Sequence, residues 1–162
     1  MTVSEFQSRR ILRISIAVAH FISTTPEDRL SWEPDGLNGA KGRNIFSMAS
    51  EIVIVNSLVS GLLAGTITEP IKPSEHLPPI NFVDSADAQA QILSSGETLA
   101  DTVRNMSESD IENVYPHWAG PLKGEILIEM TYRNMAYHAG QINFIQILLG
   151  DSEFHVPPGT WR

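Results

Sequence analysis

The chain has 162 residues, of which 42% are hydrophobic, and these values favour a single domain over residues 1–162 with a sizeable core. Its formal charge is −8 and no cluster of Lys or Arg stands out, which argues against nucleic-acid binding, because that needs concentrated positive charge. Cysteine is absent, so disulfides, thiolate metal sites and cysteine nucleophiles are excluded.

The N-terminus and the most apolar run of the chain bear on membrane association. Residues 1–22 lack a long uninterrupted apolar region, so they fit an amphipathic helix better than a signal peptide. Residues 52–65 form the most apolar run, which is shorter than the roughly 20 residues that a bilayer span needs. We therefore expect a cytoplasmic protein that makes no use of a membrane.

The first two predicted helices are defined by their apolar spacing and their ends. The first runs from about Ser4 to Ser23, where apolar residues recur every three or four positions. The second runs from about Asn44 to Ala64. Asn44 is a plausible N-cap, and Gly65 suits the position just after the C-cap.

Two further helices are predicted in the second half of the chain. The third starts near Ser85, a good N-cap residue, and its apolar face extends to Met106. The fourth runs from about Gly124 to Leu149 and stops at Gly150. No run alternates strongly enough to indicate a sheet.

Four helices of about 20 residues each predict an all-α protein, a four-helix bundle. Residues 66–84, which join the second and third helices, contain four prolines and cannot form a continuous helix. Antiparallel neighbours usually need only two to eight connecting residues. We therefore expect this long connection to cross the length of the bundle, so that the second and third helices run parallel.

One face of the fourth helix carries polar side chains in the middle of an apolar stripe. The stripe consists of Leu127, Thr131, Asn134, His138, Gln141, Ile145 and Leu148. Polar groups inside a core need partners, so another helix should supply one. Because a pocket residue leaves little dry cavity when truncated, we expect His138→Ala to lower stability less than Leu148→Ala.

The second helix offers that partner in Glu51, the only charged residue between Arg43 and Glu69. A buried carboxylate needs a cation, a metal ion or several donors, and His138 could supply charge or share a metal. Taken singly, His138 fits a satisfied core histidine and Glu51 a first-turn acid favoured by the helix dipole. Together with Asn134 they favour a shared pocket.

The expected pocket has three further residues. Thr131 and Gln141 lie on the same face of the fourth helix as His138. Trp118, with His117, belongs to the loop before that helix and could border the pocket mouth, although an exposed loop pair explains these two residues better. The predicted site therefore joins two helices and one loop.

Four stretches, in order along nearly the whole chain, resemble the DinB-like family of bacterial four-helix-bundle proteins. The first two resemble the family's turn with Trp-x-Pro and the start of its second helix. The last two resemble its loop into the fourth helix and its His-x-Gly-Gln helix that ends at Gly. In this chain they read TPEDRLSWEPDG, NIFSMASEIV, MSESDIENVYPHWAGPLKGEIL and HAGQINFIQILLG.

The resemblance implies an up-down-down-up bundle with a divalent metal held by three histidines. The position on the second helix falls on Glu51, the first position on the fourth helix falls on Asn134, and only His138 matches. Zinc and nickel favour imidazole and charged ligands, whereas a Glu/Asn/His set could hold manganese or iron weakly. The alternative is a metal-free cluster of these three residues joined by hydrogen bonds.

Two functions follow from the resemblance. The first is a metal-dependent enzyme of the thiol-transferase or hydrolase type, in which the metal activates a low-molecular-weight thiol or water. The second is a binding or stress-response module that kept the bundle and lost the metal. In either case the partner would be a small molecule, and exposed apolar helix surface could support a homodimer.

Overall fold

A computed structural model describes residues 1–72 and 77–157, and within them it is mostly helical, which confirms the all-α prediction. Two single 3-10 turns follow the first helix, at Glu27–Arg29 and Leu37–Gly39. The helices are α1 (Val3–Ser23), α2 (Ile45–Leu63), α3 (Ser85–Arg104), α4 (Glu108–Glu112) and α5 (Gly124–Leu148).

The ends of α2 are as predicted, and the start of α3 differs by one residue. The side chain of Asn44 accepts a hydrogen bond from the Ser47 amide at 2.8 Å. Gly65 follows the C-cap of α2 with a φ of 71°, a conformation that favours glycine. The predicted N-cap Ser85 is wrong, because the carboxylate of Asp84 caps the helix by accepting from the Asp87 amide.

The four long helices share one core, in which α1 and α2 each pack against both α3 and α5. Hydrogen bonds join the helices at several levels. The Ser4 hydroxyl donates to the carbonyl of Met106 at 2.8 Å. The Gln146 amide nitrogen donates to the carbonyl of Phe21 at 3.0 Å, and the Ser60 and Thr102 hydroxyls lie 2.9 Å apart.

A small hairpin precedes α5 and was not predicted. Its strands, β1 (Val114–Tyr115) and β2 (Leu122–Lys123), pair antiparallel. Each strand has only two residues, which is too few for an alternation of apolar and polar residues to be seen in the sequence. The Tyr115 hydroxyl donates to the carbonyl of Asp110 at 3.0 Å and ties the hairpin to α4. The hairpin thereby positions the loop that carries Trp118.

Helix α2 is apolar on more than one face. By length and composition it could cross a membrane, but 56% of its apolar window is buried inside the protein. One face, with Ile45 and Ile52 fully buried, enters the core. A second apolar face, which includes Val55, lines a cavity. A helix that is covered on both sides is expected to be apolar nearly all round.

We expected His138→Ala to lower stability less than Leu148→Ala on the assumption that Leu148 lies in the core. That assumption was wrong. Leu148 is 50% exposed, whereas His138 is 1% exposed. The stripe on α5 leaves the core after Ile145, because at the last turn the packed face is formed by Gln146, which is 1% exposed, and by Leu149, which packs against the core, so that Leu148 lies outside it. Leu127, at the other end of the stripe, is fully buried.

We expect Leu127→Ala to lower the free energy of unfolding by about 2–5 kcal/mol, because it leaves a cavity in the core. Leu148→Ala, the matched truncation on the same helix, should change it by only about 0.5 kcal/mol. Urea denaturation of both variants checks this. Equal losses would show that the end of α5 is covered in solution.

Candidate functional site

Glu51 of α2 and two side chains of α5 meet between the helices, as predicted. The Asn134 amide nitrogen donates to Glu51 Oε1 at 2.8 Å. Nε2 of His138 lies 3.1 Å from the same oxygen. The two α5 residues can share one acceptor because they lie one helical turn apart on the same face.

Arg43, which was not predicted as a site residue, engages the second carboxylate oxygen. Its Nη1 donates to Glu51 Oε2, and its Nη2 donates to the carbonyl of Ser47 at 2.7 Å. Arg43 immediately precedes the N-cap Asn44, so its side chain can fold back along the first turns of α2. The sequence did carry a signal for this pair: Arg43 lies just before α2, and Glu51 is the only charged residue in that helix.

His138 is held from both sides of its ring. Nδ1 lies 2.7 Å from the side-chain oxygen of Gln141, one turn further along α5, and Nε2 faces Glu51. Both ring nitrogens therefore face oxygen atoms, and the hydrogen bond to the Glu51 carboxylate, which can only accept, is donated by Nε2. The ring is 1% exposed, so it contacts the carboxylate from the protein interior.

The cluster keeps Glu51 ionised. Hydrogen bonding to His138 is the largest cause, and with the bonds from Arg43 and Asn134 it lowers the pKa of Glu51 to about 2, against the opposing effect of burial. The side chain remains 38% exposed, so solvent screens part of this stabilisation. The result is a fixed negative charge paired with one guanidinium.

A cavity of about 540 Å³ opens beside this cluster. Its size is typical of sites for small molecules. Glu51, Asn134 and Arg43 contribute polar groups, and most of the remaining lining is apolar. The apolar part comes from α2, α5, the described parts of the connection after α2 (66–72 and 77–80) and the hairpin loop: Ile54, Val55, Leu58, Val59, Leu62, Ile67, Ile71, Leu77, Pro79, Trp118 and Met130.

The three predicted pocket residues have different positions. Trp118 lines the cavity from the hairpin loop. Gln141 contacts His138 and is absent from the cavity wall. Thr131 is fully buried, and its hydroxyl donates to the carbonyl of Ile128 at 2.7 Å, so it is satisfied within the core. Some residues of the predicted stripe on α5 face the core and others face the cluster around Glu51. Residue spacing alone could not tell these two groups apart.

The donor set at this position does not fit zinc or nickel. The guanidinium of Arg43 already pairs with the Glu51 carboxylate, and a second cation there would be repelled. Asn134 turns its amide nitrogen, which cannot bind a metal, towards Glu51. Across residues 1–72 and 77–157, no group of three His, Cys, Asp or Glu side chains could hold a metal ion.

No family model matches this chain, and no curated protein matches it. A functional assignment therefore rests on the cluster and the cavity, with the motif resemblance as a separate expectation. Chemically, the arrangement offers an apolar wall beside a neutralised carboxylate and an amide. Such a site can enclose an apolar molecule and orient one polar group of it.

We expect Glu51 to make stability depend on pH. A folded-state pKa of about 2, below the ordinary glutamate value of 4.5, means that Glu51 stabilises the fold above pH 4.5 and that this contribution is lost as the pH falls towards 2. Glu51→Gln should flatten that part of the curve of unfolding free energy against pH.

Urea denaturation between pH 7 and pH 2.5 measures this curve. Glu97→Gln, a substitution of an exposed glutamate on α3, is the matched control and should leave the curve unchanged. An unaltered curve for Glu51→Gln would mean that the carboxylate gains nothing from His138, Arg43 and Asn134 in solution.

Proposed function

We propose that this protein is a metal-free DinB-like binding protein whose cavity takes a small, largely apolar molecule. The observation that carries the proposal is the state of Glu51 at the cavity wall. Both of its oxygens are engaged by protein donors, namely Asn134 and His138 on one and Arg43 on the other. A carboxylate satisfied in this way is a fixed part of the wall and is poorly suited to bind a metal.

The proposal includes an up-down-down-up arrangement of the four long helices. The bond from Ser4 to Met106, just past α3, supports antiparallel α1 and α3. The bond from Gln146 to Phe21 brings the ends of α1 and α5 together and supports a parallel pair. Asn56 is hydrogen-bonded to Ser95, and Ser60 is hydrogen-bonded to Thr102. Because both residue numbers rise together, these two contacts support parallel α2 and α3.

The resemblance supplies the second part of the proposal, a former metal site. Positions 51, 134 and 138 lie together between α2 and α5, where the family would hold its metal. In this chain a carboxylate and an amide stand at two of the three positions, and a guanidinium balances the charge. Polar contacts between Glu51, Asn134 and His138 thus join α2 to α5 at the place where a bound metal would have joined them.

Binding of N-phenyl-1-naphthylamine, a neutral dye that fluoresces in apolar surroundings, tests the proposed cavity. We expect the dye to bind, and Val55→Trp, which fills the cavity from α2, to weaken its affinity at least tenfold. Val114→Trp is the control, because Val114 lies on the hairpin and is 63% exposed. Equal affinity for both variants would mean that the dye binds elsewhere, and the proposed cavity would lose its support.

Restoring the implied ligands tests the correspondence with the family. We expect the triple variant Glu51→His, Asn134→His, Arg43→Gln to retain zinc after dialysis, since it places three imidazoles together without the guanidinium. Adding His138→Ala should abolish retention. The natural chain should retain none.

Elemental analysis measures these contents. A triple variant without zinc would argue against the proposed correspondence. Tight retention of manganese or iron by the natural chain would favour the metal-dependent transferase or hydrolase with a thiol partner instead.

A further inference from the structure

The α2 wall of the cavity has a direction, because its polar groups lie at one end of it. Lining residues on α2 extend from Ser47 to Leu62, over which a helix rises by about 22 Å. Arg43, Ser47 and Glu51 lie at the beginning of that length, and Asn134 joins them from α5. Beyond Glu51 the lining residues of α2 are all apolar: Ile54, Val55, Leu58, Val59 and Leu62. Along α2 the cavity is therefore a long slot with one polar end, and Lys72 and His117 add polar groups from the connection and the hairpin loop.

The connection after α2 closes the apolar end of this slot. The amides of Thr66 and Ile67 donate to the carbonyl of Gly61 at 2.9 and 3.0 Å, which turns the chain back along α2. A Cβ on Gly61 would lie 2.6 Å from Cδ1 of Ile67, so glycine permits this close approach. The side chain of Ile67 then lines the slot. This wall limits how far an occupant can extend.

The polar end favours a group that donates hydrogen bonds. Asn134 Oδ1 is buried and has no hydrogen-bond partner among the described residues, because the amide nitrogen of the same group is committed to Glu51. Leaving a buried acceptor unpaired is costly, and a donor would relieve that cost. The adjacent Glu51 is another acceptor and carries negative charge, which disfavours an anionic group. Arg43 is already paired with that carboxylate.

We propose that the slot binds one unbranched alkyl chain with a neutral, hydrogen-bond-donating head group, as in a fatty alcohol. The head lies at Asn134 and Glu51, and the tail runs along α2 towards Ile67. Trp118, which also lines the cavity, covers the chain from the hairpin loop. This inference rests on the proposed binding function and specifies its ligand class.

Displacement of N-phenyl-1-naphthylamine by straight-chain alcohols of six to fourteen carbons tests the tail. We expect affinity to rise about fourfold with each added methylene, because each buries about the same apolar area, and then to level off. Ile67→Ala should move the levelling point to longer chains, whereas Val114→Ala, on the exposed hairpin, should not. Affinity that is independent of chain length would overturn the proposal.

The head group is tested by comparing each alcohol with the carboxylate of the same length at pH 7. We expect the alcohol to bind at least tenfold more tightly, and Asn134→Leu to reduce that preference. Carboxylates that bind equally or better would overturn the assignment of the head group.

Two outcomes separate this inference from the proposed function. If the dye binds and Val55→Trp weakens it, but no alcohol displaces it, the alkyl ligand is wrong and the binding cavity stands. If dye binding is insensitive to Val55→Trp, the cavity itself fails, and the alkyl ligand fails with it.

Discussion

The ionised carboxylate of Glu51, set between two helices that are otherwise largely apolar where they meet, is the constraint on which the site depends. A charge in that position is costly unless donors surround it. Asn134 and His138 reach one oxygen from α5, and Arg43 reaches the other from the residue before the N-cap of α2. This single group thus ties α5 to α2 and fixes the polar end of the cavity.

The same constraint explains why a metal is a poor fit at the position where the resemblance implies one. A metal site needs ligands whose lone pairs converge on an open point. Here the carboxylate is neutralised by Arg43, and the amide of Asn134 acts as a donor. Gln141, which contacts Nδ1 of His138, would orient the ring whether or not a metal were bound. Partners of this kind orient metal-bound and metal-free histidines alike.

Much of the fold could be predicted from the sequence. Asn44, Gly65 and Gly150 mark helix ends through local backbone chemistry, so the ends near them were found within a residue or two. The hairpin at β1 and β2 escaped, since its strands are too short for a period to appear. The burial of Leu148 was predicted wrongly, because the buried face of α5 passes to Gln146 and Leu149 at the last turn, and a fixed three-or-four spacing does not show that shift.

The site was predictable only in part, for a related reason. Glu51 and His138 stood out because each is unlike its neighbours, and both lie in the cluster. The second apolar face of α2 needed the fold, since the residues that face it come from the connection after α2 and from the hairpin loop. Arg43 lies only eight residues before Glu51, so its pairing with that carboxylate was within reach of the sequence and was missed. A ¹³C NMR titration of the Glu51 carboxyl, after dialysis against a chelator, tests the central claim most directly. A midpoint near pH 2 is predicted, because the protein's own donors stabilise the charge; a midpoint near 4.5, the ordinary pKa of a glutamate, would contradict the cluster.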